Sequence, residues 1–402
     1  MKITSLDIEK LAGRRTGEAV SAFRHMDRAM PLDIYSYREK RPALRNSKGE
    51  EKADGVEIAE ELYLTIRTDE GVEGFFGPVD LSAAFVIKAF LEPLLIGQDP
   101  LAGALLWDKM YRSDRHSRTG IFMMGIATID NALWDLRGKY FNAPVYRLLG
   151  GAARPAVEAY VSTIGFSQDE TAIAEQALAL RAEGYRRQKW FMGRGPADGE
   201  DGLRHNVALV RVLRETLGED AHIMFDASMS WDVTYALKWA ERVREYRPDW
   251  LEEPLNPDKM EAWATLGEKA GLAIAGGEHL YTRWEAKRFL EVGAVSVLQP
   301  DPEWCGGVTA LLQMCALGEL YDVPVIPHGH GLRAAIHVVA SQSPGTCPLG
   351  EFVARTMRRR YFFESEPPFP VEGEFRLSER PGFGIVINDD LVESRTVWSA
   401  IH

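Results

Sequence analysis

Six ionisable side chains recur through the second half of this 402-residue chain at a nearly constant interval. Asp226, Glu252, Glu278, Asp301, His328 and Glu351 follow one another at steps of 23 to 27 residues, each at or near the end of a short apolar run. The first three are carboxylates. Three anions held side by side repel one another and are costly to desolvate, and one divalent cation removes that cost. All-oxygen ligation suits Mg²⁺ or Mn²⁺ rather than zinc or copper. Asp226, Glu252 and Glu278 are therefore candidate ligands of one metal ion, Mg²⁺, bound once per subunit. Glu253, beside Glu252, points to the opposite face if its strand continues. Asp301 and His328 come next in the series. An aspartate against an imidazole orients the ring and raises its basicity, so the two read as a general base with its partner or as a buried structural pair. A metal beside a base suits removal of the weakly acidic proton next to a carboxylate. The metal stabilises the enediolate charge as it forms, and histidine supplies a pKa near working pH. His279 and His330 lie close by in sequence.

The elements that must carry these residues are short. From residue 159 onward eight strand-like runs alternate with helix-like segments: 159–163, 188–192, 222–226, 249–253, 272–278, 295–301, 323–328 and 349–353. Strand–helix alternation implies parallel strands with right-handed crossovers. Seven or eight such units close a β/α barrel of the TIM type, whose chemistry sits where the strands end. Successive units bring Asp226 to Glu351 to one rim. Before residue 140 the texture differs. Lys2 to Glu9 and Glu57 to Thr68 alternate apolar and polar residues, the second ending in the turn signal Asp69-Glu70-Gly71. Helical patterns follow over Leu81 to Leu95 and Gly120 to Tyr140, with Ile126, Ile129, Leu133 and Leu136 on one face. The expected α/β architecture is an α+β capping domain over 1–140, a (β/α)7–8 barrel with the site over 141–370, and a C-terminal segment over 371–402. The polar stretch Arg41 to Gly55 reads as a solvated loop or as a flap over the site.

Bulk composition narrows the partners. Lys and Arg number 47 against 59 Asp and Glu, a net charge of −12. Such a surface repels phosphate backbones, so nucleic acid is not expected. No apolar run approaches the roughly 18 residues of a membrane helix, and the N-terminus carries no apolar leader. Cys305, Cys315 and Cys347 match no zinc spacing, which fits a reducing cytoplasm. No Gly-x-Gly-x-x-Gly opens a helix after a strand, which disfavours a dinucleotide-binding fold.

Several motifs together resemble the enolase superfamily and, within it, the mandelate racemase subgroup. Residues 132–151 (ALWDLRGKYFNAPVYRLLGG) are similar to the subgroup's junction between capping domain and barrel. MFDASMSWDV (224–233), LEEP (251–254), GGEH (276–279), QPDPEWCGG (299–307) and IPHGH (326–330) are similar in order and spacing to its active-site motifs, and PGFGIVIN (381–388) to the tail that returns to the capping domain. The pattern is nearest to members that dehydrate L-rhamnonate. The resemblance implies metal ligation by Asp226, Glu252 and Glu278, His328 as base with Asp301 as partner, and Glu351 as an acid against the substrate carboxylate. It implies that His279 faces substrate, and that a loop over roughly 15–55 sets specificity, with His25 and nearby arginines as candidates. Racemase-type members carry Lys-x-Lys on the second strand; here Lys189 matches the first lysine and Phe191 stands at the second. Lys189 then binds a carboxylate, acts electrostatically, or lines the barrel. Two-base racemisation loses a base, whereas dehydration uses one histidine. The function implied is Mg²⁺-dependent dehydration of a small sugar acid to a 2-keto-3-deoxy acid by a homo-oligomer. An epimerase, racemase or lactone cycloisomerase is the alternative, and a non-catalytic sugar-acid-binding protein a further one.

Overall fold

The computed structural model describes residues 1–16, 28–35 and 56–399. His25 and the stretch 41–55, both singled out above, lie outside them. Strands β1 (Ile3–Thr16), β2 (Val56–Thr68) and β3 (Gly74–Val79) form an antiparallel sheet with the last strand of the chain. On β1, Ile3, Leu6 and Ile8 are buried in the main core, and Leu11 in a separate apolar cluster with Ala59, Tyr63 and Phe363. The Asp69–Gly71 turn joins β2 to β3, with Gly71 at φ 79°. The helix Ile121–Tyr140 covers this sheet through Ile126, Ile129, Leu133 and Leu136, all fully buried.

Seven parallel strands follow: β4 (Ala156–Ser162), β5 (Arg187–Phe191), β6 (His222–Asp226), β7 (Trp250–Glu252), β8 (Ala273–Gly276), β9 (Val297–Leu298) and β10 (Gly350–Val353), in the order β10-β4-β5-β6-β7-β8-β9. The expected strand at 323–328 makes a single parallel bridge, Leu298 to Val325. Pro324 and Pro327 remove two ladder donors there. The run still occupies the barrel wall. Its Ile326 joins Tyr160, Met224, Trp250, Ala275, Val297 and Leu349 in one apolar cluster inside the barrel. Asp226, Glu252, His328 and Glu351 each lie two residues beyond a member of that cluster. A period of two therefore lifts them onto the same inward face, above an apolar floor.

The capping helix also completes the barrel. The barrel helix Gly307–Leu320 starts from Gly306, which has no side chain to cap it. Asp130 and Asn131 of the capping helix accept from Thr309 N–H (2.9 Å) and Val308 N–H (3.0 Å) instead. Gly307, at φ 87°, makes room: a Cβ there would lie 2.3 Å from Asp130 Oδ2. The C-terminal segment serves both bodies. β11 (Glu374–Arg376) adds antiparallel to β4, and β12 (Ser394–Val397) then pairs with β1 in the capping sheet. Among the described residues no helix is long and apolar enough to cross a membrane, and the three cysteines are buried and unbridged.

Candidate active site

The strand registers pair Phe191 with Asp226 and Asp226 with Glu252, so these side chains share one rim. Glu252 is 1% exposed and fully engaged. It contacts the Lys189 ammonium and accepts from Gln299 Nε2 (2.8 Å) and Trp250 Nε1 (3.0 Å). Lys189, also 1% exposed, stands 2.7 Å from Glu351 Oε1 and 3.6 Å from Asp226 Oδ2. Burial alone would lower its pKa, but Glu252 and Glu351 outweigh that and hold it well above the usual lysine value. Burial pushes Glu252 up to about 8, with Lys189 opposing and Asp226, Glu351 and Glu278 adding to the rise. Lys189 is thus the internal counter-charge of the site, not an inert lining residue.

The dyad is as sharply held. Asp301 is fully buried, and its carboxylate lies 2.8 Å from His328 Nδ1 while accepting from the N–H groups of Gly331 (2.9 Å) and Glu303 (2.7 Å). Gly331 permits that approach, because a Cβ would meet Asp301 Oδ1 at 2.7 Å. With Nδ1 so occupied, Nε2 faces the rim, 3.3 Å from Glu278 Oε2. Burial opposes protonation of His328, but Glu278 and the Asp301 contact raise its pKa to about 10. Glu351 accepts from Gly329 N–H at 2.8 Å. His279 lies 3.4 Å from Glu253 Oε2 and 3.5 Å from Glu278 Oε1. Burial would lower its pKa, and these carboxylates raise it instead.

Glu253 has a structural role that its sequence position did not indicate. Its strand stops at Glu252, and Glu253 turns at φ 41° to accept from Gly277 N–H (2.8 Å). It thus braces the turn that presents Glu278. From the loop expected to set specificity, Ala29 N–H donates to Met192 O at the end of β5 (2.7 Å). This brings Arg28 5.9 Å from the Phe191 ring, where its charge favours ionised Asp226.

The donor chemistry at Asp226, Glu252 and Glu278 fits a hard divalent cation: oxygens from three successive units, with Glu252 raised by burial and, further, by its like-charged neighbours. Asp226 accepts from Ser228 N–H (2.7 Å), Glu252 contacts Lys189, and Glu278 lies 3.3 Å from His328 Nε2. Among the described residues no group of three His, Cys, Asp or Glu side chains stands ready-made around a metal position.

Sequence reasoning passed over several groups. Gln299 and Trp304 lie inside the quoted motif 299–307 but lacked a role. Arg360 offered no signal at all. It reaches Glu303 (2.6 Å) and Asp80 (3.1 Å), while His330 lies 3.1 Å from Asp80. Asp80 belongs to the capping domain, so only the folded chain brings this cluster together.

Residues 172–391 match the family described as Enolase C-terminal domain-like, and residues 53–150 match the Mandelate racemase / muconate lactonizing enzyme, N-terminal domain. The chain belongs to the enolase superfamily. Among superfamily relatives, the L-rhamnonate dehydratase of Saccharopolyspora erythraea is 30% identical over 365 residues, covering 88% of each chain. The crystal structure of rhamnonate dehydratase from Gibberella zeae complexed with Mg aligns at a TM-score of 0.81 and 29% identity, covering 97% of this chain and 95% of that one. The 3,6-anhydro-D-galactonate cycloisomerase from Zobellia galactanivorans, at 23% identity and a TM-score of 0.77 over 98% of this chain and 100% of that one, shares the superfamily fold.

Proposed function

We propose that this protein is a Mg²⁺-dependent acid-sugar dehydratase that converts an aldonate, L-rhamnonate or a close relative, to its 2-keto-3-deoxy acid. The carrying observation is the His328–Asp301 dyad facing Glu278, with Phe191 on β5 at the second-lysine position. One nitrogen, His328 Nε2, is poised for proton transfer, and the β5 position offers none. His328 takes the proton from C2, the C3–O bond breaks, and the same proton leaves with the hydroxyl as water. The resulting enol ketonises. A Mg²⁺ ion held by Asp226, Glu252 and Glu278 would stabilise charge on the substrate carboxylate as the proton departs. Only the neutral ring accepts a proton, so the charge of Glu278 must be offset before His328 acts. Lys189 balances the buried charge of Glu252 and Glu351 beneath, Glu351 stands against the substrate carboxylate, and His279 contacts the sugar hydroxyls, with His25 a further substrate-binding candidate outside the described residues. The relatives that dehydrate rhamnonate support this substrate class. We place the enzyme in the cytoplasm as a homo-oligomer.

The test is incubation of the purified chain and Mg²⁺ with an acid-sugar library, reading keto-acid formation. At least one aldonate should give product, and His328→Asn should lower that turnover by about 10²–10⁴-fold while Mg²⁺ binding by calorimetry persists. No keto acid from any member removes the proposal. Exchange of the C2 proton in D₂O without loss of water would favour the isomerase alternative.

A further inference from the structure

Trp304 stands among three histidines. Its indole ring lies 5.0 Å from the imidazole of His328, 4.9 Å from His330 and 5.8 Å from His279, at interplanar angles of 37°, 37° and 35°. Its backbone N–H donates to Asp301 O at 3.0 Å, so the ring is tethered to the partner of the base. His330, on the far side, is steadied by Asp80 of the capping domain at 3.1 Å. The ring therefore sits at the seam between barrel rim and cap, against the ring of His328.

The indole Nε1 is buried and has no hydrogen-bond acceptor among the described residues. An indole N–H donates and never accepts, and buried tryptophans ordinarily satisfy it. Six others here do: Trp107 to Gly306 O, Trp134 to Thr309 Oγ1, Trp190 to Gln188 Oε1, Trp231 to Arg194 O, Trp250 to Glu252 Oε2 and Trp263 to Asn256 O. Trp239 also lacks an acceptor, but it packs between Phe225 and Trp231 behind the strands, with no ionisable ring against it. A buried donor left open beside a base calls for an explanation.

We infer that Trp304 is a specificity-determining residue whose indole N–H donates to a hydroxyl oxygen of the bound sugar acid, while its ring fixes the tilt of His328. This rests on the dehydratase reading for the identity of the ligand, not for the existence of the contact. A site that hydrogen-bonds a hydroxyl discriminates strongly against the analogue lacking it. Trp304 would thus select among acid sugars by one hydroxyl position.

Two measurements test it. The first compares wild type with Trp304→Phe, which keeps a ring and removes the N–H, on L-rhamnonate and its single-deoxy analogues with Mg²⁺. The variant should lose at least about tenfold in kcat/KM on the intact acid. It should also lose wild-type discrimination against one deoxy analogue and keep it against the others. A variant within twofold of wild type on every compound overturns the contact. The second uses the unsubstituted chain labelled with 5-fluorotryptophan, so it does not depend on how the variant folds. The Trp304 fluorine resonance, assigned by its absence in Trp304→Phe or Trp304→Tyr, should shift on titration with L-rhamnonate in the presence of Mg²⁺. An unmoved resonance across the whole acid panel overturns the inference. A shift without turnover removes the dehydratase reading and leaves the indole contact standing.

Discussion

At the scale of the residue, charge balance governs the site. Lys189 is a buried ammonium touching Glu252 and Glu351, each 1% exposed. A buried charge whose partner is removed costs about 3–5 kcal/mol. Lys189→Met should therefore destabilise the chain by about that amount in chelator, measured by urea unfolding. If a divalent cation binds Asp226, Glu252 and Glu278, saturating Mg²⁺ should recover part of the loss. Equal destabilisation with and without Mg²⁺ would count against those three as ligands.

At the scale of the element, the barrel helix Gly307–Leu320 borrows its cap from another domain. The first N–H groups of a helix need acceptors, and a negative side chain there also meets the helix dipole. Asp130 supplies both from the capping helix, and Gly307 supplies the space. Gly307→Ala should cost about 2–4 kcal/mol, combining left-handed strain with overpacking. Gly71→Ala is the control. Its φ is 79°, similar to the 87° of Gly307, yet nothing lies within 4 Å of its added Cβ. It should show the strain alone, about 1–2 kcal/mol. Equal thermal shifts for the two variants would refute the close approach of cap and barrel as the cause.

Across the whole molecule, barrel, junction and tail meet at His337. The fully enclosed ring accepts from Tyr146 N–H (3.2 Å) and packs edge-on to Phe383 at 5.1 Å. Burial, reinforced by Arg333, lowers its pKa from 6.5 to about 3. Between those values the unfolded chain binds the proton and the folded chain does not. The stability His337 contributes is therefore complete above pH 6.5 and is lost as pH falls toward 3. His337→Asn retains an acceptor for Tyr146 and removes the titration. Its urea midpoint should fall less steeply with acid, by up to about one proton per molecule. Asp130, pushed up to about 6 by burial, acts in the opposite sense and is common to both chains. Parallel pH profiles for the two chains would show that the ring is not held neutral.

Read as sequence alone, the chain determined the alternation of strands and helices, the antiparallel start, and the six ionisable residues at unit spacing. These are local or periodic properties: a side-chain period of two and a repeat near 25 residues survive without knowledge of contacts. The resemblance favoured the base over the structural pair for His328 and Asp301, and gave Phe191 its meaning. Tertiary structure decided the rest. Two prolines reduced the strand at 323–328 to a bridge without removing it from the wall. The strand ended at Glu252, one residue earlier than its pattern, which left Glu253 to hold the turn at Gly277. Lys189, ambiguous between lining and electrostatics, became a counter-charge only once three strand ends converged on it. The Asp80–His330–Arg360–Glu303 cluster and the open indole of Trp304 join residues up to 280 positions apart. Contacts of that span leave no periodic trace in the chain, so only folding, which sets capping domain against barrel, brings them into one site.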